Sequence, residues 1–352
     1  MADWIPHSRP TLDAIDGQAI ETALFSCSTA ERGIVQRFER AVAAYLGMAG
    51  GVATSSGTAA LVCALKALDV GPGDEVVVPT YVCGAVWRAV RAVGAVPVLC
   101  DVGDNWCMRV ESVRPCVTNR TRAIVVVHTF GIVAPIADIC DLGVPVIEDC
   151  CQALGATDGG RMAGSCGDVC VLSFHATKLL TTAEGGMALS RAPGVVERLR
   201  AAAREHAEGL CQSLSDLQAA LGLSQLSRYD GFLSRRRSLA DVYLAELVDT
   251  TQCWPPGLRG RSIFFRFPIL VEGGFGRIRA AFAADHIHVR RGVDVLLHRE
   301  LGHARERFPA AERCFSETVC LPIYPTLSDE EQQRVILSAR RILRHGVAAG
   351  TV

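Results

Sequence analysis

Between about residues 50 and 190, short apolar runs alternate with stretches of helical spacing. The runs are Gly51–Ser55, Glu75–Pro79, Val96–Asp101, Arg122–His128, Val144–Asp149, Val169–Phe174 and Gly185–Ser190. Most are continuous in Val, Ile, Ala and Leu. Continuous runs mark strands covered on both faces, as in a mainly parallel sheet between helical layers. Helices are expected between them, near Thr58–Asp69, Cys83–Val93 and Ala134–Leu142. The alternation predicts an α/β architecture. From about Pro193 to Leu247, apolar positions recur every three or four residues, the spacing of helices with a buried face. The stretch Trp254–Gly257 punctuates the end of that region. Beyond it, a strand over Ser262–Leu270 and a closing helix over Asp329–Leu343 read as a small α+β unit. Residues 1–30 show little periodicity and read as an arm laid on either part. The expected division is a large domain over residues 1–245, arm included, and a small C-terminal domain over 246–352. No internal repeat or low-complexity tract interrupts this plan.

Composition narrows the picture. The chain has 352 residues, 49% of them hydrophobic and 21% charged, enough for a large packed core and a second, smaller one. Thirty-six basic residues against 37 acidic ones leave a formal charge of −1, which favours neither nucleic acid nor another polyanion as partner. The N-terminus lacks the pattern of a signal peptide, and no long uncharged apolar run predicts a membrane span. The expectation is a soluble, cytoplasmic protein. Fifteen cysteines are many for such a chain. Their number is odd and no Cys-x-x-Cys pair occurs, so most are expected as reduced thiols packed as small hydrophobes. Cys63, Cys100, Cys140 and Cys170 lie within apolar runs, and the adjacent Cys150 and Cys151 suit a disulfide poorly. No ligand-like spacing points to a metal. The pair His286 and His288 is expected in a surface turn or strand.

Only two of the basic residues are lysines, Lys66 and Lys178. Arginine holds its proton in proteins, whereas a lysine amine can lose it. A lysine retained amid such bias is a candidate for amine chemistry, or a survivor by chance. Lys66 sits mid-helix and reads as part of a solvated face.

Three stretches could carry chemistry. Ser55-Ser56-Gly57-Thr58-Ala59-Ala60-Leu61 follows a strand and opens a helix, where free N–H groups and the helix dipole make an anion site. The plain alternative is an ordinary helix cap. Val146-Ile147-Glu148-Asp149 ends a predicted central strand, the edge where ligands gather in open α/β sheets. A carboxylate there can keep a ring nitrogen protonated, or simply cap a helix, and Gln152 lies three residues on. Leu172-Ser173-Phe174-His175-Ala176-Thr177-Lys178 runs from an apolar strand into a polar turn, followed by Glu184-Gly185-Gly186. A lysine half-buried beside a cofactor can be neutral and form a Schiff base. No dinucleotide fingerprint, phosphate-binding P-loop or nucleophile elbow competes.

In this order the three stretches resemble the DegT/StrS family of sugar aminotransferases, pyridoxal-phosphate enzymes of fold type I. The likeness extends from about Ile5 to Leu343. It includes Phe38-Glu39, Val70-Gly71-Pro72-Gly73-Asp74-Glu75-Val76, Gln152-Ala153 and Gly155-Ala156. Later come Asp216-Leu217-Gln218-Ala219-Ala220-Leu221-Gly222 and Leu321-Pro322-Ile323-Tyr324-Pro325. The resemblance implies a mostly parallel seven-stranded sheet in a large domain, a small α+β C-terminal domain, and a homodimer with active sites at the subunit interface. It implies pyridoxal 5'-phosphate on Lys178, Asp149 beside the pyridine nitrogen and Gln152 facing the ring hydroxyl. Gly57, Thr58 and Ser173 would hold the phosphate.

Three positions depart from the family's pattern. Cys83 occupies the position where the family has an aromatic that stacks on the cofactor ring, with Tyr81 two residues away. Cys211 and Ser213 stand where the family sends an Asn and often an Arg from the partner subunit to the phosphate.

The implied reaction is transfer of an amino group from an amino acid, glutamate or glutamine, to a ketone of a sugar, nucleotide sugar or cyclitol in a biosynthetic pathway. Lys178 would move the proton as general acid and base. Two alternatives stand beside it. One is a sugar dehydratase of the same family, against which Lys178 argues because those enzymes carry His at that position. The other is a non-catalytic cofactor-binding or regulatory relative. Arg266, Arg290, Arg291 and His298 could meet a phosphate or carboxylate, or be ordinary surface charges.

Overall fold

The computed structural model describes residues 3–26, 33–206, 213–248, 252–253, 259–271 and 274–347. The chain opens with helices α1 (Ala14–Phe25) and α2 (Gly33–Leu46), then β1 (Gly50–Thr54) and α3 (Gly57–Ala67). There follow β2 (Glu75–Pro79), α4 (Ala85–Ala92), β3 (Val96–Cys100), the short α5 (Val110–Val113), β4 (Thr121–Val127), the short α6 (Ala137–Cys140) and β5 (Val146–Asp149). A two-stranded ribbon, β6 (Thr157–Asp158) and β7 (Arg161–Met162), precedes β8 (Val169–Ser173) and β9 (Gly186–Ser190).

The seven long strands form one sheet in the order β1-β9-β8-β5-β4-β2-β3. Its pairings are parallel except those of β9, which runs antiparallel to both neighbours. All seven strands coincide with the apolar runs of the sequence to within a residue or two. The reason is burial: every residue of β2, β5 and β9 is buried, and only Arg122 of β4 is exposed. Helix α3 packs over β8 and β9 and against α4 and α7 (Pro193–His206). The register sets Val127 beside Asp149 and Asp149 beside Val171. His128, Asp149 and Ser173 therefore reach one edge of the sheet, at the carboxyl ends of three adjacent strands.

Helices α8 (Asp216–Ser227) and α9 (Tyr229–Leu247) complete the helical region expected between Pro193 and Leu247. A second, antiparallel sheet joins β10 (Gln252–Cys253), β11 (Phe267–Leu270) and β12 (Thr318–Leu321). Around it lie α10 (Phe275–Ala284), α11 (Leu297–Glu300), α12 (Pro309–Glu317) and α13 (Asp329–Val347). Trp254–Gly257 lies outside the described residues.

Three elements differ from expectation. The N-terminal arm contains a helix, α1, opened by a capping box between Asp13 and Asp16. Its apolar residues Ile15, Leu24 and Phe25 point outward. It docks instead through buried Asp16, which accepts hydrogen bonds from Ser224 Oγ at 2.7 Å and Gln225 Nε2 at 2.9 Å on α8. The strand expected over Ser262–Leu270 begins only at Phe267. Phe264 has φ 53°, and its N–H donates to Ser262 Oγ at 2.8 Å, so the chain turns before it extends. The helix expected over Ala134–Leu142 shrinks to the single turn of α6, entered through Pro135.

Candidate active site

Side chains alternate along a strand, so the last two residues of β5 serve opposite faces of the sheet. Glu148 is buried and accepts four hydrogen bonds: from His128 Nε2 at 2.8 Å and from the N–H groups of Gly164, Cys166 and Gly167 at 2.8, 2.7 and 2.6 Å. Burial pushes its carboxyl pKa up, but His128 and these donors more than reverse that, and the net shift is downward. His128 Nδ1 accepts from Ala134 N–H at 3.0 Å, which places the ring proton on Nε2. Cys150 completes a trio with His128 and Glu148 at ligand distance. Both ring nitrogens and both carboxylate oxygens are already engaged, so the trio serves as an internal brace. This brace was not legible in the sequence, where only the unusual buried glutamate of the Val146–Asp149 run hinted at it.

Asp149 faces the other way. It is 6% exposed, and its Oδ1 accepts from Cys151 N–H at 3.0 Å. Gln152 follows the same strand end. Its carbonyl Oε1 accepts from Phe130 N–H at 2.9 Å, which leaves the amide NH2 as the group available to the shallow cavity it shares with Ser173, Lys178 and Phe265.

Helix α3 starts at Gly57, capped by Ser56, whose Oγ accepts from Ala59 N–H at 3.2 Å. The N–H groups of Gly57 and Thr58 are in the first turn, where no intrahelical carbonyl reaches. Gly57 presses on the end of β8. A Cβ there would lie 2.9 Å from Ser173 Cβ, 3.3 Å from Ser173 Oγ and 3.4 Å from Cys151 Sγ. Gly186 is as tightly held, since a Cβ there would stand 2.3 Å from the Ser56 carbonyl oxygen. The first-turn N–H groups of a helix, its dipole and the Ser173 hydroxyl thus lie side by side, a cup in which an oxyanion can be received.

Lys178 stands in the turn that leaves β8. The turn is tied by Lys178 N–H to His175 O at 2.8 Å, Thr182 N–H to Phe174 O at 2.9 Å and Phe174 N–H to Gly185 O at 2.8 Å. Phe174 anchors it from below, its ring 5.1 Å from that of Phe38 on α2. Gln218 of α8 braces it from the side, donating to the Glu184 carbonyl at 2.8 Å. Lys178 is half-buried, and its Nζ sits 5.0 Å from the centroid of the Phe265 ring. Cys151 and Cys83 both feel Lys178 and Asp149. The thiol pKa of each is raised, by the surrounding protein first and by the Asp149 carboxylate next, while the Lys178 ammonium pulls both down. The seven expected site residues Gly57, Thr58, Cys83, Asp149, Gln152, Ser173 and Lys178 therefore lie around one edge of the sheet.

The departures resolve differently. Cys83 is an exposed residue, although protein atoms crowd its thiol. Tyr81 is buried, 1% exposed, and meets Phe130 edge-on at 6.3 Å. A Cβ on Gly292 would touch its hydroxyl, so Tyr81 belongs to the packing between the two sheets and does not stand in for an aromatic at position 83. Ser213 precedes the Ser215 cap of α8, and Cys211 lies outside the described residues. Twelve of the described cysteines are free thiols. No helix of the described residues is long and apolar enough to cross a membrane.

An amine, a buried carboxylate and an oxyanion cup suit a ring that bears an aldehyde, a basic nitrogen and a phosphate. Comparison with known proteins agrees. The chain is 32% identical to a UDP-N-acetyl-3-dehydro-alpha-D-glucosamine 3-aminotransferase of Acidithiobacillus ferrooxidans, covering 98% of both chains. It is 29% identical to the GDP-perosamine synthase of Escherichia coli O157:H7, covering 93% of this chain and 95% of that one. Among solved structures, the aminotransferase TlmJ from Streptoalloteichus hindustanus superposes with a TM-score of 0.89 at 30% identity, covering 99% of this chain and all of the other. A putative sugar aminotransferase, Spr1654 of Streptococcus pneumoniae, is known in pyridoxal-phosphate and pyridoxamine-phosphate forms. Its pyridoxamine form superposes with a TM-score of 0.92 at 26% identity, over 99% of this chain and all of that one. The DegT/DnrJ/EryC1/StrS aminotransferase family matches residues 12–340, and the chain belongs to that family as a pyridoxal-phosphate-dependent sugar aminotransferase of fold type I.

Proposed function

We propose that the protein moves an amino group from glutamate or glutamine to a keto group of a sugar, nucleotide sugar or cyclitol, with Lys178 as the catalytic residue. The observation that carries this assignment is the join of β8 to its turn, which holds Ser173 against Gly57 and sets Lys178 five residues further along the same edge.

Bound pyridoxal phosphate supplies an electron sink for charge that develops at the amino acid's Cα. The chain's own groups do the rest. The Gly57 and Thr58 N–H groups and the Ser173 hydroxyl receive the phosphate at a helix N-terminus. Asp149, held by Cys151 N–H, keeps a proton on the ring nitrogen. The Gln152 amide donates toward the ring oxygen, fixed in that sense because its carbonyl is committed to Phe130. Lys178 Nζ would hold the cofactor at rest and, once displaced by the donor's amine, would take the proton from Cα and return it on the far side of the shared nitrogen, two atoms away. Cys83 would border the ring, where a thiol offers no face to stack on.

The working unit is a homodimer in the cytoplasm, with the chain divided near residue 245 into a large and a small domain. The exposed apolar side chains of Leu12, just before α1, and of Ile15, Leu24 and Phe25 along it favour a second copy as cover, and the free thiols suit a reducing compartment.

Adding glutamate to the cofactor-loaded protein should bleach its yellow absorbance and release 2-oxoglutarate. Lys178→Ala should abolish both. A Lys178→Ala protein that turns over at the normal rate would rule out this mechanism.

A further inference from the structure

A cleft of about 580 Å3 opens between the N-terminal segment at Pro6–Ser8 and the chain around His288–Asp294. Arg279, Arg290 and Arg291 line it, and Asp294 is the one carboxylate among its lining residues. Asp294 is spoken for in part, 3.4 Å from Arg290. His7 also lines the cleft. It is 9% exposed, and its Nε2 is buried without a hydrogen-bond partner.

Behind His7 the positive charge continues. Arg236 of α9 is buried and donates through Nη1 to the carbonyls of Phe264 and Phe265 at 2.9 and 2.6 Å, yet its Nε has no partner. Arg266 has two buried nitrogens, Nε and Nη1, that make no hydrogen bond. Burial holds the His7 pKa well below its usual value, and Arg266, Arg290, Arg236 and His288 lower it further. Burial and Arg266 also bring the Arg236 pKa down to about 10, still charged at neutral pH.

An unpaired buried cation is costly, and a buried donor without an acceptor adds to the cost. A lysine could escape by losing its proton, but a guanidinium cannot. Ordered water could meet the orphaned donors, but only an anion would also offset the charge. The cluster also adjoins the reactive amine. The Phe265 ring that carries Lys178 Nζ at 5.0 Å has the Arg266 guanidinium carbon 5.8 Å from its centroid.

We propose that the cleft at His7 and Arg290, backed by Arg266, is an oxyanion seat of the active site, which takes a phosphate or carboxylate group of a substrate while its carbonyl or amine reaches Lys178. The inference rests on the aminotransferase reading and narrows it: one of the two substrates is recognised by an anionic group held on the far side of Phe265. Arginine suits that task because its planar fork meets two oxyanion oxygens at once.

The test uses the protein loaded with pyridoxal phosphate, so that the cup at Gly57 is already filled. Inorganic phosphate and glutarate are each titrated by calorimetry. At least one should bind saturably, and Arg290→Gln and His7→Gln should weaken that binding roughly tenfold or more. Arg290 is exposed at the rim, its side chain 50% accessible, so its variant keeps the test meaningful should a change at His7 impair folding. The glutamate half-reaction then separates the sources. If phosphate or glutarate competes with glutamate, the seat holds the donor's carboxylate; if the anion binds without competing, it holds a phosphate or carboxylate of the keto substrate. The proposal falls if neither anion binds saturably, or if Arg290→Gln and His7→Gln bind as the parent does. A protein that binds the anion here but does not bleach with glutamate would overturn the transamination reading alone.

Discussion

Replacing Gly57 with alanine probes the cup most directly. The added Cβ would stand 2.9 Å from Ser173 Cβ, 3.3 Å from Ser173 Oγ and 3.4 Å from Cys151 Sγ. Comfortable carbon–carbon contact begins near 3.5 Å, so the start of α3 and the end of β8 must move apart by several tenths of an ångström. Overpacking of this kind costs about 1–3 kcal/mol. Against it, alanine gains up to about 1 kcal/mol in helix propensity over glycine, and Gly57 has no positive φ to forbid a side chain. The net loss of stability in cofactor-free protein should therefore be small, from about 0 to 2 kcal/mol. The loss of cofactor affinity should be larger. A charge-assisted hydrogen bond to phosphate is worth about 1.5–3 kcal/mol, and displacing one of the N–H donors by the same shift weakens binding roughly 10- to 100-fold. Thermal unfolding of the cofactor-free variant measures the first quantity, and absorbance titration with pyridoxal phosphate measures the second. A Gly57→Ala protein that binds pyridoxal phosphate with the parent's affinity would refute the placement of the phosphate against Gly57 and Ser173.

Two further predictions concern the surroundings of the cup. Glu148 accepts only, from four donors; Glu148→Gln would set an NH2 against N–H groups, cost about 3 kcal/mol and lower the melting temperature at neutral pH. Because the folded-state pKa of Glu148 lies below its ordinary value, the parent's advantage exists above the unfolded pKa and disappears as pH falls through the folded one. Melting curves of the two proteins should therefore converge in acid, and a gap that stays constant down to pH 3 would contradict the assignment. Cys83 is exposed, so Cys83→Tyr can be accommodated and should add a ring face worth about 0.5–1.5 kcal/mol of stacking; tighter pyridoxal-phosphate binding by several-fold is expected, and unchanged or weaker binding would mean that position 83 does not border the ring.

Much of this architecture was written locally. The central strands are short continuous apolar runs because both faces of the sheet are covered, and that pattern survives without knowledge of the fold. The lysine, the carboxylate and the Gly57-Thr58 turn were legible for a related reason. Each sits at a strand end or helix start, where a few neighbouring residues specify the backbone, and the scarcity of lysine singled out Lys178. Helix α1 escaped notice because its exposed apolar side chains and its buried Asp16 invert the usual pattern. Phe264 shortened a predicted strand through a backbone turn that its apolar neighbours concealed.

What remained hidden depends on contacts between residues far apart in the chain. Glu148 is satisfied by His128, twenty residues earlier, and by a turn sixteen to nineteen residues later. His7, Arg236 and Arg266 come from three separate parts of the chain, and nothing in their local sequence announces a shared cluster of charge. Tyr81 could not be excluded as a ring partner until its side chain was seen against Gly292 and Phe130. Periodicity and turn chemistry act over a few residues and so determine which strands and helices form and where amine chemistry can sit. Only tertiary packing decides which distant charges are buried together, because the energy of an unpaired ion depends on everything that surrounds it in space.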